Sequence, residues 1–172
     1  MNRKGIAEFS KVSKEQFYKD MHNCMPNTPD EEIERIYNNI EIPTRATVGS
    51  AGYDFKTPME IYLCPGETIT IPTGIRCSIA DDWMLILLPK SGLGCKYKMQ
   101  LDNTIGLIDS DYYKSENEGH IFAKITNDSR ENKPILLGMG DKFIQGVFTI
   151  YGTAIEEEVK EVRNGGFGST GK

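Results

Sequence analysis

The stretch GLIDSDY, residues 106–112, ends an apolar run in two carboxylates, Asp109 and Asp111, separated by Ser110. A carboxylate placed straight after a buried strand is a candidate general base, because partial desolvation and a like-charged neighbour both raise its basicity. The same D-x-D pattern also describes a turn whose aspartates cap backbone amides. Upstream, PKSGLGCKYKM, residues 89–99, puts Lys90, Ser91, Gly92 and Gly94 into one exposed turn after an apolar run. A cation, a hydroxyl and bare amides can cradle a phosphate, although an ordinary surface loop has the same composition. The end of the chain, RNGGFGSTGK at 163–172, is rich in glycine, so ordering it forfeits unusually large backbone entropy. Arg163 can pair with oxyanions there, Ser169 and Thr170 can donate hydroxyls, and Phe167 can stack on a flat ring; a frayed linker is the other reading. SAGYDF at 50–55 and GDKFIQGVF at 140–148 complete the set of stretches able to carry chemistry.

Positioning such groups requires a folded scaffold, and 172 residues with 38% hydrophobic content suit one globular domain. The net charge of -5 argues against a broad surface for nucleic acid or anionic membrane, so phosphate chemistry must use a local pocket. Cys24, Cys64, Cys77 and Cys95 form no C-x-x-C pair and stand apart from His22 and His120, a spacing unlike that of a structural zinc site. An even cysteine count leaves a disulfide open. The first residues, MNRKGIAEFSKVSKEQF, hold no apolar run of signal-peptide length, and no stretch approaches the eighteen apolar residues of a membrane span. The expectation is a soluble, reduced, cytoplasmic protein with structural thiols.

From Ile42 onward, short β-rich runs alternate with Pro/Gly punctuation: MEIYL, TITIP, IRCSI, WMLILLP, HIFAKITN, PILLG and DKFIQGVFTIYG. This rhythm predicts an antiparallel sandwich or barrel, with inward alternation at Ile121, Ala123 and Ile125. WMLILL is apolar on both faces and reads as a central strand covered on both sides. Residues 13–40 differ. Ser13 with Gln16, and Thr28 with Glu31 and Pro29 at the first helical position, are capping-box patterns that predict two short helices. Phe17 and Met21 lie at i, i+4 on the first, and Ile33, Ile36, Tyr37 and Ile40 form one apolar face on the second. Such a stripe marks packing, on the sandwich flank or at a subunit contact.

SAGYDF, PKSGLG, GLIDSDY, GDKFIQ and GGFGSTG occur in that order, and together they resemble the five motifs of the trimeric deoxyuridine triphosphate diphosphatases, the dUTPases. The resemblance covers residues 42–172 and an opening strand near Ile6 to Val12. It implies an all-β fold, a distorted jelly-roll sandwich, in one domain over 1–172: a helical insertion at 13–40, a β core at 42–152 and a flexible C-terminal arm at 153–172. It also implies hydrolysis of dUTP to dUMP and pyrophosphate, which keeps uracil out of DNA and supplies dUMP for thymidylate synthesis.

By the same resemblance, Asp109 is the base that activates water, and magnesium rides on the triphosphate with Asp54 holding metal-bound water. Lys90, Ser91, Gly92 and Gln145 match phosphate-side positions. Asn103, Gly106, Leu107 and Ile108 line the uracil pocket, and Tyr112 lies beneath the deoxyribose. Arg163, Phe167, Gly168, Ser169 and Thr170 belong to an arm that crosses to a neighbouring subunit of a homotrimer and closes over the nucleotide. The chain departs from the family pattern in four places. Lys90 stands where arginine is usual, one residue separates Arg163 from Gly165 where many members have two, YKSENEGH at 113–120 lengthens the connection after Tyr112, and the helical insertion is extra. Two rival readings share the fold: a dUTPase-like binding module that sequesters a regulatory partner, and a dCTP deaminase. The deaminase uses a glutamate base and a Ser-Ser-x-x-Arg segment, where this chain has Asp109 and Ser91-Gly92-Leu93.

Overall fold

The computed structural model describes residues 5–155, so the arm residues Arg163, Phe167, Gly168, Ser169 and Thr170 lie outside the described residues. The chain runs β1 (Ala7–Lys11), α1 (Lys14–Cys24), α2 (Asp30–Asn39), β2 (Thr44–Arg45), β3 (Tyr53–Lys56), β4 (Ile61–Leu63), β5 (Thr68–Pro72), β6 (Ile75–Ile79) and β7 (Trp83–Pro89). It continues with α3 (Ser91–Tyr97), β8 (Met99–Leu101), β9 (Gly106–Ile108), a 3-10 turn over Ser110–Lys114, β10 (Phe122–Asn127), β11 (Ile135–Leu137) and β12 (Lys142–Ile150). All strand pairs are antiparallel. The largest sheet has the order β2-β3-β12-β7-β9, a second has β5-β10-β8, and β1-β6 and β11-β4 form two-stranded ribbons, giving a jelly-roll-like all-β body.

The period-2 alternation places the core where the sequence predicts it. Ile121, Ala123 and Ile125 are buried in one apolar cluster with Phe55, Leu85, Leu87 and Phe143. Phe9, Tyr53, Phe55 and Phe148 close one side with ring centroids 5.4–5.7 Å apart. WMLILL does become an inner strand, β7, flanked by β12 and β9. Its coverage corrects the expectation. Leu85 and Leu87 are buried, but Met84, Ile86 and Leu88 on the other face are only half-buried.

The helical pair belongs to the core. Ser13 caps α1 by accepting from the Gln16 N–H at 3.1 Å, as its motif predicts, although the Gln16 side chain turns to Asp20 instead of back to the cap. The second cap shifts by one residue. Pro29, in extended conformation, is the capping position of α2, and its carbonyl accepts from Glu32 and Ile33, so Thr28 makes no cap. Phe17, Met21, Ile33, Ile36 and Ile40 are buried in the same cluster as the strands. Tyr37 donates its hydroxyl to the Val12 carbonyl at 2.8 Å, tying α2 to the end of β1. Truncating Phe17 to alanine is therefore expected to cost about 3–5 kcal/mol. Urea unfolding followed by circular dichroism should show one earlier transition for the whole chain; a separate melting of the helices alone would contradict their place in the core.

Candidate functional site

Of the residues singled out from the sequence, Asp54, Lys90 and Gln145 gather at one end of the five-stranded sheet, whereas Asp109 lies toward the other. At one end, β3 and β12 place Asp54 opposite Gln145, and β12 and β7 place Gln145 opposite Leu88, so Lys90 leaves β7 beside them. Asp54 is only 3% exposed, yet it is ionised by company: Lys90 pairs with its Oδ1, and Lys142 Nζ lies 2.8 Å from its Oδ2. Burial alone would raise the Asp54 carboxyl; the close contacts and charges of Lys142 and Lys90 outweigh burial and hold it below its ordinary value. The Gln145 side chain donates to the Pro89 carbonyl at 3.4 Å, alongside the same group.

Lys142 is the residue that sequence reasoning missed. It reaches Asp54 because the ladder between β12 and β3 shifts register between Lys142 and Ile144, burying Phe143 and Ile144 consecutively and turning Lys142 back toward the carboxylate. The only trace in the sequence is a cation three positions before Gln145, and nothing local announces a bulge. The turn expected at 89–99 is also corrected. Ser91–Tyr97 is helical, with Lys90 as its cap and Lys98 at φ 56 ending it, because Leu93 and Tyr97, spaced i, i+4, both pack on the core despite the glycines at 92 and 94. Ser91 and Gly92 are exposed at its start, next to Lys90.

One carboxylate and two ammonium groups leave this end with net positive charge, which suits a polyanion. Lys90 donates to Oδ1 of Asp54 and Lys142 stands at ion-pair distance from Oδ2, which accepts no hydrogen bond of good geometry, and no three His, Cys, Asp or Glu groups converge among the described residues. One carboxylate faced by two ammonium groups is a poor donor set for a directly bound metal ion.

The loop from β8 to β9 joins the two larger sheets, and β9 then runs back along β7 from Gly106, opposite Leu87, to Ile108, opposite Leu85, toward the other end. Asn103, Thr104 and Ile105 form the tip of the loop, with Thr104 at φ 68 and the Ile105 N–H donating to the Asn103 carbonyl. Gly106 is dictated by contact, since a Cβ there would stand 2.9 Å from Leu87 Cβ. β9 is the edge of its sheet, so backbone groups facing away from β7 are available to a planar hydrogen-bonding partner. Ile108 is buried, while Leu107 is 53% exposed. Asp109 follows in extended conformation, half-buried, and caps the 3-10 turn with its carbonyl. Tyr112, expected beneath a sugar, is only 3% exposed, and its hydroxyl donates to the His120 carbonyl at 2.6 Å.

The two ends do not meet within one chain. Ile108 pairs with Leu85, which puts Asp109 beside Met84, and Lys90 lies six residues further along β7. Six strand rises make about 20 Å. No helix among the described residues is long and apolar enough to cross a membrane.

The family model for dUTPase matches residues 38–171. The deoxyuridine 5'-triphosphate nucleotidohydrolase of Lactococcus lactis subsp. lactis is 38% identical over 145 residues, covering 81% of this chain and 95% of that protein. The corresponding protein of Shewanella sediminis is 41% identical over 145 residues, covering 80% and 91%. Among solved structures, the dUTPase from Streptococcus mutans superposes with a TM-score of 0.61 at 27% identity, over 85% of this chain and 97% of that one. A Staphylococcus bacteriophage 80alpha dUTPase with dUPNHPP gives 0.62 at 21% identity over 100% of both chains, a likeness of fold.

The Asp54 cluster makes a pH-dependent contribution to stability. A depressed folded-state pKa contributes above the unfolded value, ordinarily 3.8, and the contribution disappears as pH falls through the folded value. Asp54→Asn should therefore cost about 1–3 kcal/mol near neutral pH, and denaturant titrations from about pH 6 down to about pH 3 should show that difference shrinking. A constant difference across this range would mean that the carboxylate's charge contributes nothing.

Proposed function

The chain belongs to the dUTPase family, and we propose that it hydrolyses dUTP to dUMP and pyrophosphate at a site assembled from more than one copy of itself. The observation that carries the shared site is the register of β7, which leaves Asp109 about 20 Å from Lys90 in a single chain. A base and a phosphate cradle at that separation cannot act on one α-phosphate. The half-covered apolar face of Met84, Ile86, Leu88 and Val147, with exposed Leu107 beside it, supports a subunit contact that brings the two ends together. The assembly in this reading is a homotrimer.

Asp109 is the base. Its carboxylate takes a proton from water as the water oxygen bonds to the α-phosphorus; the bond to the bridging oxygen breaks, and pyrophosphate leaves. Lys90, Ser91, Gly92 and Gln145 line the phosphate side, with Lys142 as a second cation whose charge Asp54 partly balances. Positive charge fixed there is worth most as negative charge accumulates on the phosphate oxygens. Magnesium, carried on the triphosphate, offsets part of the same charge when bound. Lys90 offers a point charge where a guanidinium would offer a fork.

The open edge of β9 reads uracil through peptide groups, with Gly106, Leu107 and Ile108 along that edge and Asn103 in the loop before it. Cytosine reverses the donors and acceptors and leaves buried groups unpaired, and thymine adds a methyl group to a close-fitting pocket. Tyr112 sets the sugar side, and Arg163, Phe167, Gly168, Ser169 and Thr170 close over the nucleotide from a neighbouring copy. The net charge of -5 suits a free nucleotide better than a nucleic acid, and four unpaired thiols suit a reducing, cytoplasmic location.

With magnesium present, pyrophosphate release should be fast for dUTP and slow for dTTP, dCTP and UTP, without ammonia from dCTP. Asp109→Asn should lower kcat by about 10²–10⁴. Unchanged turnover in that variant would remove Asp109 as the base. The shared site has its own test: Asp109→Asn and Lys90→Ala chains, each weakly active alone, should recover about a quarter of wild-type activity when unfolded and refolded together in equal amounts. No recovery would place the whole site within one chain.

A further inference from the structure

The helical pair and the long connection after Tyr112 are both departures from the family's motif pattern, and in the structure they meet. His120, at the end of that connection, is fully buried. Its Nε2 accepts from the Gly74 backbone N–H at 2.8 Å. An amide can only donate, so the ring proton sits on Nδ1 and is donated to Asp20 Oδ2 of α1 at 2.6 Å. Asp20 is buried as well, and Gln16 Nε2 donates to the same oxygen at 2.8 Å. A second bridge lies nearby, where Ser13 donates its backbone N–H and its hydroxyl to the two carboxylate oxygens of Glu118, at 2.7 and 2.6 Å.

On its other side, the connection grips the turn that follows Asp109. The His120 carbonyl accepts the Tyr112 hydroxyl at 2.6 Å, and Asn117 Nδ2 donates to that hydroxyl at 2.9 Å. Gly119, at φ 72, approaches so closely that a Cβ would stand 2.7 Å from Tyr113 Cα and 2.8 Å from the Tyr112 carbonyl oxygen. The Tyr112 N–H in turn donates to the Asp109 carbonyl at 3.2 Å. A continuous set of bonds thus runs from α1 through Asp20, His120 and Tyr112 to Asp109.

A buried carboxylate and imidazole are a costly way to fill space, since an apolar pair of similar volume avoids their desolvation. What the pair adds is one orientation for the ring and hence for the segment that carries Tyr112. We propose that the helical pair is an internal brace of the nucleotide-facing turn, with Asp20 and His120 as positioning residues that set discrimination on the sugar side. The proposal rests on the dUTP-hydrolysing site described above and adds to it a specificity role for elements that do not touch the nucleotide.

Asp20→Ala and Asp20→Asn test it, since the asparagine oxygen can still accept from Nδ1–H. In Asp20→Ala, kcat/KM for dUTP should fall about tenfold or more, with a smaller fall for UTP. Amide hydrogen exchange should accelerate about tenfold within residues 109–120 and stay at wild-type rates in β5 and β10. Asp20→Asn should restore most of both. Should Asp20→Ala not fold, Glu118→Ala, which removes the second bridge and leaves the Ser13 cap of α1 in place, is read out in the same way. A folded variant with a lower Tm but wild-type kcat/KM, nucleotide preference and exchange at 109–120 would overturn the brace and leave only packing. Wild-type protein that turns over no dUTP would refute the function instead, and the exchange measurement would still decide the brace.

Discussion

Strand β7 is hydrogen-bonded on both sides, along its whole length to β12 and at Leu85, Ile86 and Leu87 to β9, and that double pairing is the constraint on which the other positions depend. Moving either ladder by one residue would turn Leu85 and Leu87 outward and Ile86 inward, exchanging core for surface. The inward face of β7 therefore locks the register, and the register assigns Gln145 and Lys90 to one end of the sheet and Asp109 to the other. Chemistry at this protein's surface inherits its geometry from aliphatic packing beneath it.

At the Lys90 end the governing balance is electrostatic. Burying one carboxylate without partners would cost several kcal/mol, and Lys90 and Lys142 compensate for it from two sides. The arrangement restrains two flexible lysines that would otherwise sample many rotamers, and on the proposed reading their charges are in place before the triphosphate arrives. A single arginine could present two donors in a fixed plane; here two point charges from β12 and the end of β7 cover two oxygens instead.

The parts of this structure legible in the sequence are those that local rules control. Alternation found β10, the apolar run found β7 as an inner strand, and the Ser13 cap and the i, i+3, i+4 stripe found both helices. Motif order brought out Asp54, Lys90, Asp109 and Gln145. What stayed hidden depends on contacts distant in sequence. Lys142 becomes part of the Asp54 cluster only through a bulge, Thr28 loses the cap to Pro29, and Ser91–Tyr97 is helical because Leu93 and Tyr97 find the core. His120 and Asp20 stand 100 residues apart, and no spacing rule pairs them. Tyr112 is legible as an aromatic three residues after Asp109, but the partner of its buried hydroxyl is set only when the chain folds back.

The separation of Asp109 from Lys90 along β7 also makes catalysis, on the proposed reading, a matter of mass action. A lone chain is inert however well it is folded, and output near the assembly threshold rises more steeply than the amount of polypeptide. Newly made chains would stay silent until they meet, so dilution would switch the protein off without unfolding it. The half-buried face of Met84, Ile86 and Leu88 would then govern the dose at which activity begins.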